Sequence, residues 1–274
     1  MDARSESPVA EPAPLAAEGV TRRFRGRRAR RSAADDVVAV DGVSIELRRG
    51  ETLALVGESG SGKSTLGRLL VGLERPDAGR VRFEGRALDE LDRDGRRRFR
   101  RRVQMVFQDP YASLNPRITV GGALREALHV HGLARGREAE ERVVALLERV
   151  GLEADAARRY PHAFSGGQRQ RIGIARALAV EPAILIADEP VSALDVSVQA
   201  KILDLLLRLQ RDLGLGYLFI SHDLAVVRVV ADRVAVMREG RVVESGPADD
   251  LYRNPREGYT KALFAAVPRL PQPT

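Results

Sequence analysis

The chain has 274 residues, 44% hydrophobic and 30% charged, the balance of a water-facing folded protein long enough to bury a sizeable core as one large domain or two small ones. It carries no cysteine, which excludes disulfides, thiolate zinc sites, cysteine-ligated iron–sulfur clusters and a cysteine nucleophile. Lys+Arg is 45 against Asp+Glu 38, a net +7 compatible with nucleic acid, anionic lipid or phosphate ligands; only Lys63, Lys201 and Lys261 are lysines, so the bulk charge is an arginine bias that decides little alone.

No apolar run approaches the roughly 18 residues needed to span a bilayer, and MDARSESPVAEPAP has no apolar centre, so it does not read as a signal peptide. The chain is expected in the cytosol, able to sit at a membrane through a partner. Residues 1–17, rich in Ala, Pro, Glu and Ser, read as a disordered tail. Arg22 to Arg31 is either a patch for acidic lipid or nucleic acid or a solvated basic loop near an edge strand. Strands are expected at 44–47 and 52–56, split by a turn at Arg49-Gly50. A helix follows over 63–73, then strands at 80–85 and 103–107, with a basic loop at 96–102. Helical spacing marks 120–131 and 138–150. An apolar strand at 183–187 precedes an amphipathic helix over 196–213, stopped by Gly214. A strand at 217–221, a helix at 224–230, strands at 233–237 and 242–244 and two terminal helical segments complete the chain. Strands alternating with helices predict an α/β sheet with helices on its faces, interrupted by a helical stretch at 116–178 that reads as an inserted subdomain.

The strand at 52–56 runs into Gly57-Glu58-Ser59-Gly60-Ser61-Gly62-Lys63-Ser64-Thr65, which fits G-x-x-x-x-G-K-[ST] between a strand and a helix. Glycines let the backbone wrap a phosphate chain, successive N–H groups form an anion nest, and the following helix adds its positive end. Lys63 supplies a full charge for β- and γ-phosphates and the Ser64 hydroxyl a ligand for Mg²⁺. A second apolar strand ends in Asp188-Glu189-Pro190. An Asp-Glu pair by itself is an ordinary polar strand end. With a phosphate loop upstream, Asp188 is expected in the Mg²⁺ shell and Glu189 beside a water in line with the γ-phosphate, as general base or water orienter. His222 and Gln108 also follow strands, which puts them at the same sheet edge: His222 to meet the γ-phosphate or the water, Gln108 to sense Mg²⁺ or water. His129, His131 and His162 show no ligand spacing. Ser165-Gly166-Gly167-Gln168 opens an amphipathic run and reads as a helix N-terminus with exposed N–H groups, a second anion site.

The stretch Phe164-Ser165-Gly166-Gly167-Gln168-Arg169-Gln170-Arg171 resembles the signature motif of ATP-binding-cassette (ABC) ATPases, with Phe in place of the commoner Leu. The other motifs stand in that family's order: Walker A at 57–65, Gln108 as the Q-loop glutamine, the signature at 164–168, Walker B at 184–189, Ser192-Ala193-Leu194-Asp195 as the D-loop, and His222 as the switch histidine. The resemblance covers about residues 17–268. It implies a P-loop NTPase (ABC ATPase) core over 18–250, with an inserted α-helical subdomain at about 116–178 and an N-terminal antiparallel β subdomain. It implies ATP and Mg²⁺ as ligands, catalytic roles for Glu189, His222 and Gln108, metal contacts from Ser64, Gln108 and Asp188, and an adenine-stacking role for Phe24. Two chains then pair head to tail, with ATP between the phosphate loop of one and Ser165–Gln168 of the other.

Phe107-Gln108-Asp109-Pro110-Tyr111-Ala112-Ser113-Leu114-Asn115-Pro116-Arg117 and a C-terminal stretch from Gly246 through Tyr259-Thr260-Lys261 to Pro268 resemble ATPases of dipeptide, oligopeptide and nickel importers, with 251–274 as that subfamily's C-terminal extension. Glu257-Gly258 stands where His-Pro is usual. The resemblance implies two membrane permease subunits, a sister ATPase or a second copy, and indirectly an extracytoplasmic solute-binding protein. It implies a peripheral place on the cytoplasmic face of the membrane, with no nucleic acid expected. The alternative is a non-transport ABC ATPase acting on nucleic acid or within a soluble enzyme complex, which the basic segments motivate; a small kinase or GTPase is argued against by the signature motif.

Overall fold

A computed structural model describes residues 14–24, 37–109 and 114–265. The Arg25–Arg31 part of the basic run, the Pro110–Ser113 part of the importer-like segment and the chain beyond Ala265 lie outside these residues, as do residues 1–13.

Strand β1 (Leu15–Phe24) pairs antiparallel with β2 (Val37–Leu47), Leu15 opposite Leu47 and Phe24 opposite Val37. Leu15, Ala17, Val20, Val40, Val43 and Leu47 are buried together. Register shifts between Ala17 and Val20 and on to Arg23 break the simple alternation of side chains. This corrects the expected tail of residues 1–17: Leu15 to Ala17 belong to a strand, because burial of Leu15 and Ala17 outweighs their low-complexity surroundings. Strand β3 (Thr52–Val56) has all five residues buried. Helix α1 (Lys63–Leu70) is shorter than expected, since Gly72 turns the chain at φ 71° and Leu73 is left exposed. Strands β4 (Ala78–Phe83) and β5 (Arg86–Ala87) turn at Glu84-Gly85, and with β1 and β2 they form a four-stranded antiparallel sheet, β2-β1-β4-β5.

The basic segment at 96–102 is a helix, not a loop: α2 (Arg93–Arg102). Asp92 caps it by accepting the Gly95 N–H, Asp94 lies in the first turn and three arginines in the last, as the helix dipole favours. Arg98 pairs with Glu84 and Arg101 with Glu181, so part of its charge is neutralised within the chain. Strand β6 (Val103–Val106) follows. Between it and the next strand come α3 (Val120–Val130), α4 (Gly136–Arg149), two 3₁₀ turns and α5 (Gly166–Leu178). Leu124, Leu128, Val143, Leu147, Val150 and Ile172 bury one another there, each contributing about 1.5–3 kcal/mol from removal of its apolar surface from water. This is the helical insertion expected of the fold class.

Strand β7 (Ile184–Asp188) leads to α6 (Val196–Leu213), which Asp195 caps and Gly214, at φ 62°, ends. Strand β8 (Gly216–Ile220), α7 (Leu224–Val230), β9 (Arg233–Arg238), β10 (Arg241–Pro247), α8 (Ala248–Arg253) and α9 (Gly258–Ala265) follow. The second sheet has the order β10-β9-β3-β8-β7-β6, parallel from β9 to β6 with β10 antiparallel. Parallel strands end at one edge. The chain therefore leaves β3 into Gly57, β6 toward Gln108, β7 into Glu189 and β8 toward His222 on the same side of the sheet, where ligands bind in open α/β folds.

Candidate functional site

The loop after β3 is closed down on the backbone around it. Gly57 and Gly62 have φ 150° and 104°. A Cβ on Gly57 would lie 2.1 Å from the Met237 carbonyl oxygen, and one on Gly62 1.9 Å from that of Ala39. No other residue fits either position. Lys63 is 5% exposed. Its ammonium donates to the carbonyls of Gly57 at 2.8 Å and Glu58 at 2.7 Å and to Ser61 Oγ at 3.3 Å, so the loop encircles it. Burial pulls the Lys63 pKa down, and the carboxylates of Glu189, Asp188 and Glu58 push back. A buried cation within a glycine-lined cradle at the start of a helix fits a polyphosphate, whose negative charge would offset the cost that burial puts on the ammonium. Thr65 lies in the first turn of α1.

The Ser64 hydroxyl donates to Asp188 Oδ1 at 2.9 Å, joining the start of α1 to the end of β7. Burial raises the Asp188 pKa, and the Ser64 hydrogen bond opposes it. A hydroxyl oxygen and a buried carboxylate in contact form a hard-oxygen pair suited to Mg²⁺. Among the described residues no group of three or more His, Asp or Glu could hold a metal ion. Mg²⁺ at Ser64 and Asp188 would therefore complete its shell with phosphate oxygens and water.

Glu189 has φ 46°, unusual for a residue with a side chain, and its N–H is tied to the Ile220 carbonyl at 2.9 Å. Its two carboxylate oxygens are held separately: Gln108 Nε2 donates to Oε2 at 2.9 Å, and His222 Nδ1 lies 3.1 Å from Oε1. An ionised carboxylate only accepts, so in a neutral imidazole this contact puts the proton on Nδ1 and leaves Nε2 as an acceptor. The sequence placed Gln108, Glu189 and His222 at one edge; their convergence on one carboxylate comes from the strand order. Gln199 escaped the sequence reading. Its Nε2 donates to the Val191 and Leu194 carbonyls at 3.0 Å each, fixing the Ser192–Asp195 turn, and a lone Gln inside a helix gives no signal of that.

Ser165 and Gln168 form a reciprocal cap on α5: the Ser165 N–H donates to Gln168 Oε1 at 3.0 Å and the Gln168 N–H to Ser165 Oγ at 3.3 Å. A Cβ on Gly167 would lie 2.4 Å from Val198 Cγ1, and one on Gly166 3.3 Å from Leu194 Cδ2. Among the described residues, no hydrogen bond joins Ser165–Gln168 to residues 57–65. One chain therefore does not join its two candidate anion sites by hydrogen bonds. Phe24 ends β1 beside Val37, two residues before the Ala39 carbonyl that presses on Gly62, and the Arg22 guanidinium sits 4.9 Å above its ring. Glu58, Ser59, Gly60 and Ser61 face a hollow of about 240 Å³ closed by Arg238, Glu239 and Tyr259. A separate groove of about 420 Å³ runs between Leu73, Gln104, Phe107, His131 and Gln170, at the junction of the β6 edge and the helical insertion.

These parts define a nucleotide-binding cassette, and the chain belongs to the ABC transporter family, whose model matches residues 40–192. Among curated relatives, the glutathione import ATP-binding protein GsiA of Pectobacterium atrosepticum is 56% identical over 232 residues, 85% of this chain. GsiA of Escherichia coli K12 is 57% identical over 233 residues. The chain spans 37% of the length of these relatives. Among solved structures, the ATP-binding cassette MJ0796, in a dimeric post-hydrolysis state bound to ADP and Pi, matches with TM-score 0.74 at 30% identity, covering 85% of this chain and 98% of that one. The protein cbiO1 of Clostridium perfringens, part of the ABC transporter complex cbiONQ, matches with TM-score 0.74 at 30% identity over 89% of this chain and 92% of its own.

Proposed function

We propose that the chain is the ATP-binding and ATP-hydrolysing subunit of an ABC importer, powering uptake of peptides or a related solute across the cytoplasmic membrane. The observation that carries the reading is the convergence of Gln108 and His222 on Glu189, beside a Ser64–Asp188 contact and a buried Lys63. Similarity to GsiA supports the solute class, since glutathione is a short peptide.

Gly57 to Thr65 hold the β- and γ-phosphates through backbone N–H groups and Lys63, and Phe24 stacks on adenine. Ser64 and Asp188 hold Mg²⁺. Gln108 can join them through its amide oxygen while its amide nitrogen holds Glu189, because an amide is donor and acceptor at once. Bound Mg²⁺ neutralises charge on the phosphate oxygens. Glu189 orients the attacking water and accepts its proton. His222 and Gln108 fix the direction of that carboxylate, and Asp188, lying deeper, stays with the metal.

Ser165–Gln168 supplies the γ-phosphate contacts from a second chain, a sister ATPase or another copy. ATP then works as interface glue, and its hydrolysis loosens the pair. Two permease subunits, one to each ATPase chain, dock a cytosolic helix into the groove between the Q-loop region and the helical insertion, and an extracytoplasmic solute-binding protein acts through them. The chain sits peripherally on the cytoplasmic face of the membrane, and among the described residues no helix is long and apolar enough to cross one.

Glu189→Gln tests this reading. The amide preserves size and one of the two accepted hydrogen bonds but cannot take the proton. The variant is expected to keep ATP affinity and lose turnover by roughly 100-fold or more. Turnover near that of the unmodified chain removes Glu189 from the chemistry.

A further inference from the structure

The peptide unit joining Gly57 and Glu58 is held from both sides. Its carbonyl oxygen accepts from Lys63 Nζ at 2.8 Å, and its N–H, that of Glu58, donates to the Tyr259 hydroxyl at 3.2 Å. In a trans peptide these two groups point in opposite directions. The Tyr259 hydroxyl therefore sets which way the carbonyl faces, and with it where the ammonium rests. Tyr259 lies on α9, 201 residues along the chain from Glu58, and none of the nucleotide motifs includes it.

The segment carrying Tyr259 is itself anchored. Phe264 stacks on Tyr252 with ring centroids 4.7 Å apart. Leu251 and Phe264 are buried against Leu224, Val227, Val234 and Val236. Glu244 accepts the N–H groups of Arg256 at 2.9 Å and Glu257 at 3.2 Å, ordering the turn between α8 and α9. The Arg238 guanidinium lies 5.0 Å above the Tyr259 ring. A second hydroxyl leaves the same segment on the other side: Tyr252 donates to the Leu224 carbonyl at 2.7 Å. Leu224 opens α7, two residues after His222.

We propose that the C-terminal segment Ala248–Ala265 is a brace for the nucleotide site, in which Tyr259 is a positioning residue for the phosphate loop and Tyr252 one for the turn that carries His222. The inference deepens the proposed ATPase function and rests on it. A loop already held in its binding shape loses less freedom when phosphates arrive, so Tyr259 acts on affinity. A His222 turn held at the right depth acts on the chemical step.

The test uses the full chain for binding of a fluorescent ATP analogue with Mg²⁺, and the chain with its transporter partners for turnover. Tyr259→Phe and Tyr252→Phe remove one hydroxyl each and keep both rings. Tyr259→Phe is expected to weaken nucleotide affinity and raise KM about two- to tenfold, the worth of one hydrogen bond, with kcat unchanged. Tyr252→Phe is expected to lower kcat over a similar range with affinity unchanged. Unchanged affinity in Tyr259→Phe, while Lys63→Ala abolishes binding, overturns the brace and leaves the ATPase reading intact. Equal losses of affinity and kcat that track a lower Tm in both variants reveal a purely structural segment and also overturn it. An unmodified chain that binds no nucleotide overturns the ATPase reading first.

Discussion

At the end of β7 the Asp188 carboxylate is buried, and burial raises its pKa against the pull of the Ser64 hydrogen bond. A carboxyl with a raised folded-state pKa weakens the fold once ionised. The cost is absent below the unfolded-state pKa, grows as pH rises past that value, and is complete above the folded-state value. Asp188→Asn keeps an acceptor for Ser64 and removes the charge. Its Tm without Mg²⁺ at pH 7 is expected to rise by about 2–4 °C, the response of a chain this size to roughly 1 kcal/mol, with the gain shrinking toward pH 4. Mg²⁺-dependent nucleotide affinity is expected to fall at the same time. Calorimetry at the two pH values reads the first effect, and an unchanged or lower Tm at pH 7 contradicts the assigned cost. Lys63 carries the opposite tension, a buried cation lowered by desolvation and sustained by Glu189, Asp188 and Glu58.

At the scale of elements, the loop between β3 and α1 works because two glycines touch foreign backbone. Gly62 caps α1 in the left-handed region, with the Ala39 carbonyl of β2 where a Cβ would stand. Gly60, at φ 81°, has nothing within 4 Å of that position. Gly60→Ala is therefore expected to cost about 1–2 kcal/mol from backbone strain alone. Gly62→Ala adds displacement of β2, for roughly 3 kcal/mol or more, and lowers nucleotide affinity. Denaturant melts rank the two; equal costs contradict the close approach. The loop itself was plain in the sequence, because a rare lysine in a glycine frame between a strand and a helix has few other readings. Apolar strands such as β3 and β7 were plain too, since strands buried along their whole length carry unbroken apolar runs, Leu53 to Val56 and Ile184 to Ala187. Strand β1 was not, as its bulges spoil the period of two and its buried residues are interleaved with Glu and Arg. Helix α2 buries only Phe99, so it shows no apolar stripe at all. The Glu58–Tyr259 and Leu224–Tyr252 contacts join backbone groups to distant hydroxyls, and backbone partners leave no trace in residue identity.

At the scale of the molecule, one chain presents two candidate anion sites: the loop around Lys63, and the capped end of α5 at Ser165, where Gly166 and Gly167 approach Leu194 and Val198. In the proposed function a second chain closes the first site. The similar cassette MJ0796 is dimeric in its post-hydrolysis state bound to ADP and Pi. The most direct measurement is a crystal structure of the Glu189→Gln chain, with its sister ATPase where one is required, grown with ATP and Mg²⁺. The proposal predicts Ser165 Oγ within about 3 Å of a γ-phosphate oxygen whose other contacts come from the Lys63 loop of a different chain. A γ-phosphate contacted by one chain alone, with Ser165 remote from it in every copy, contradicts the shared site.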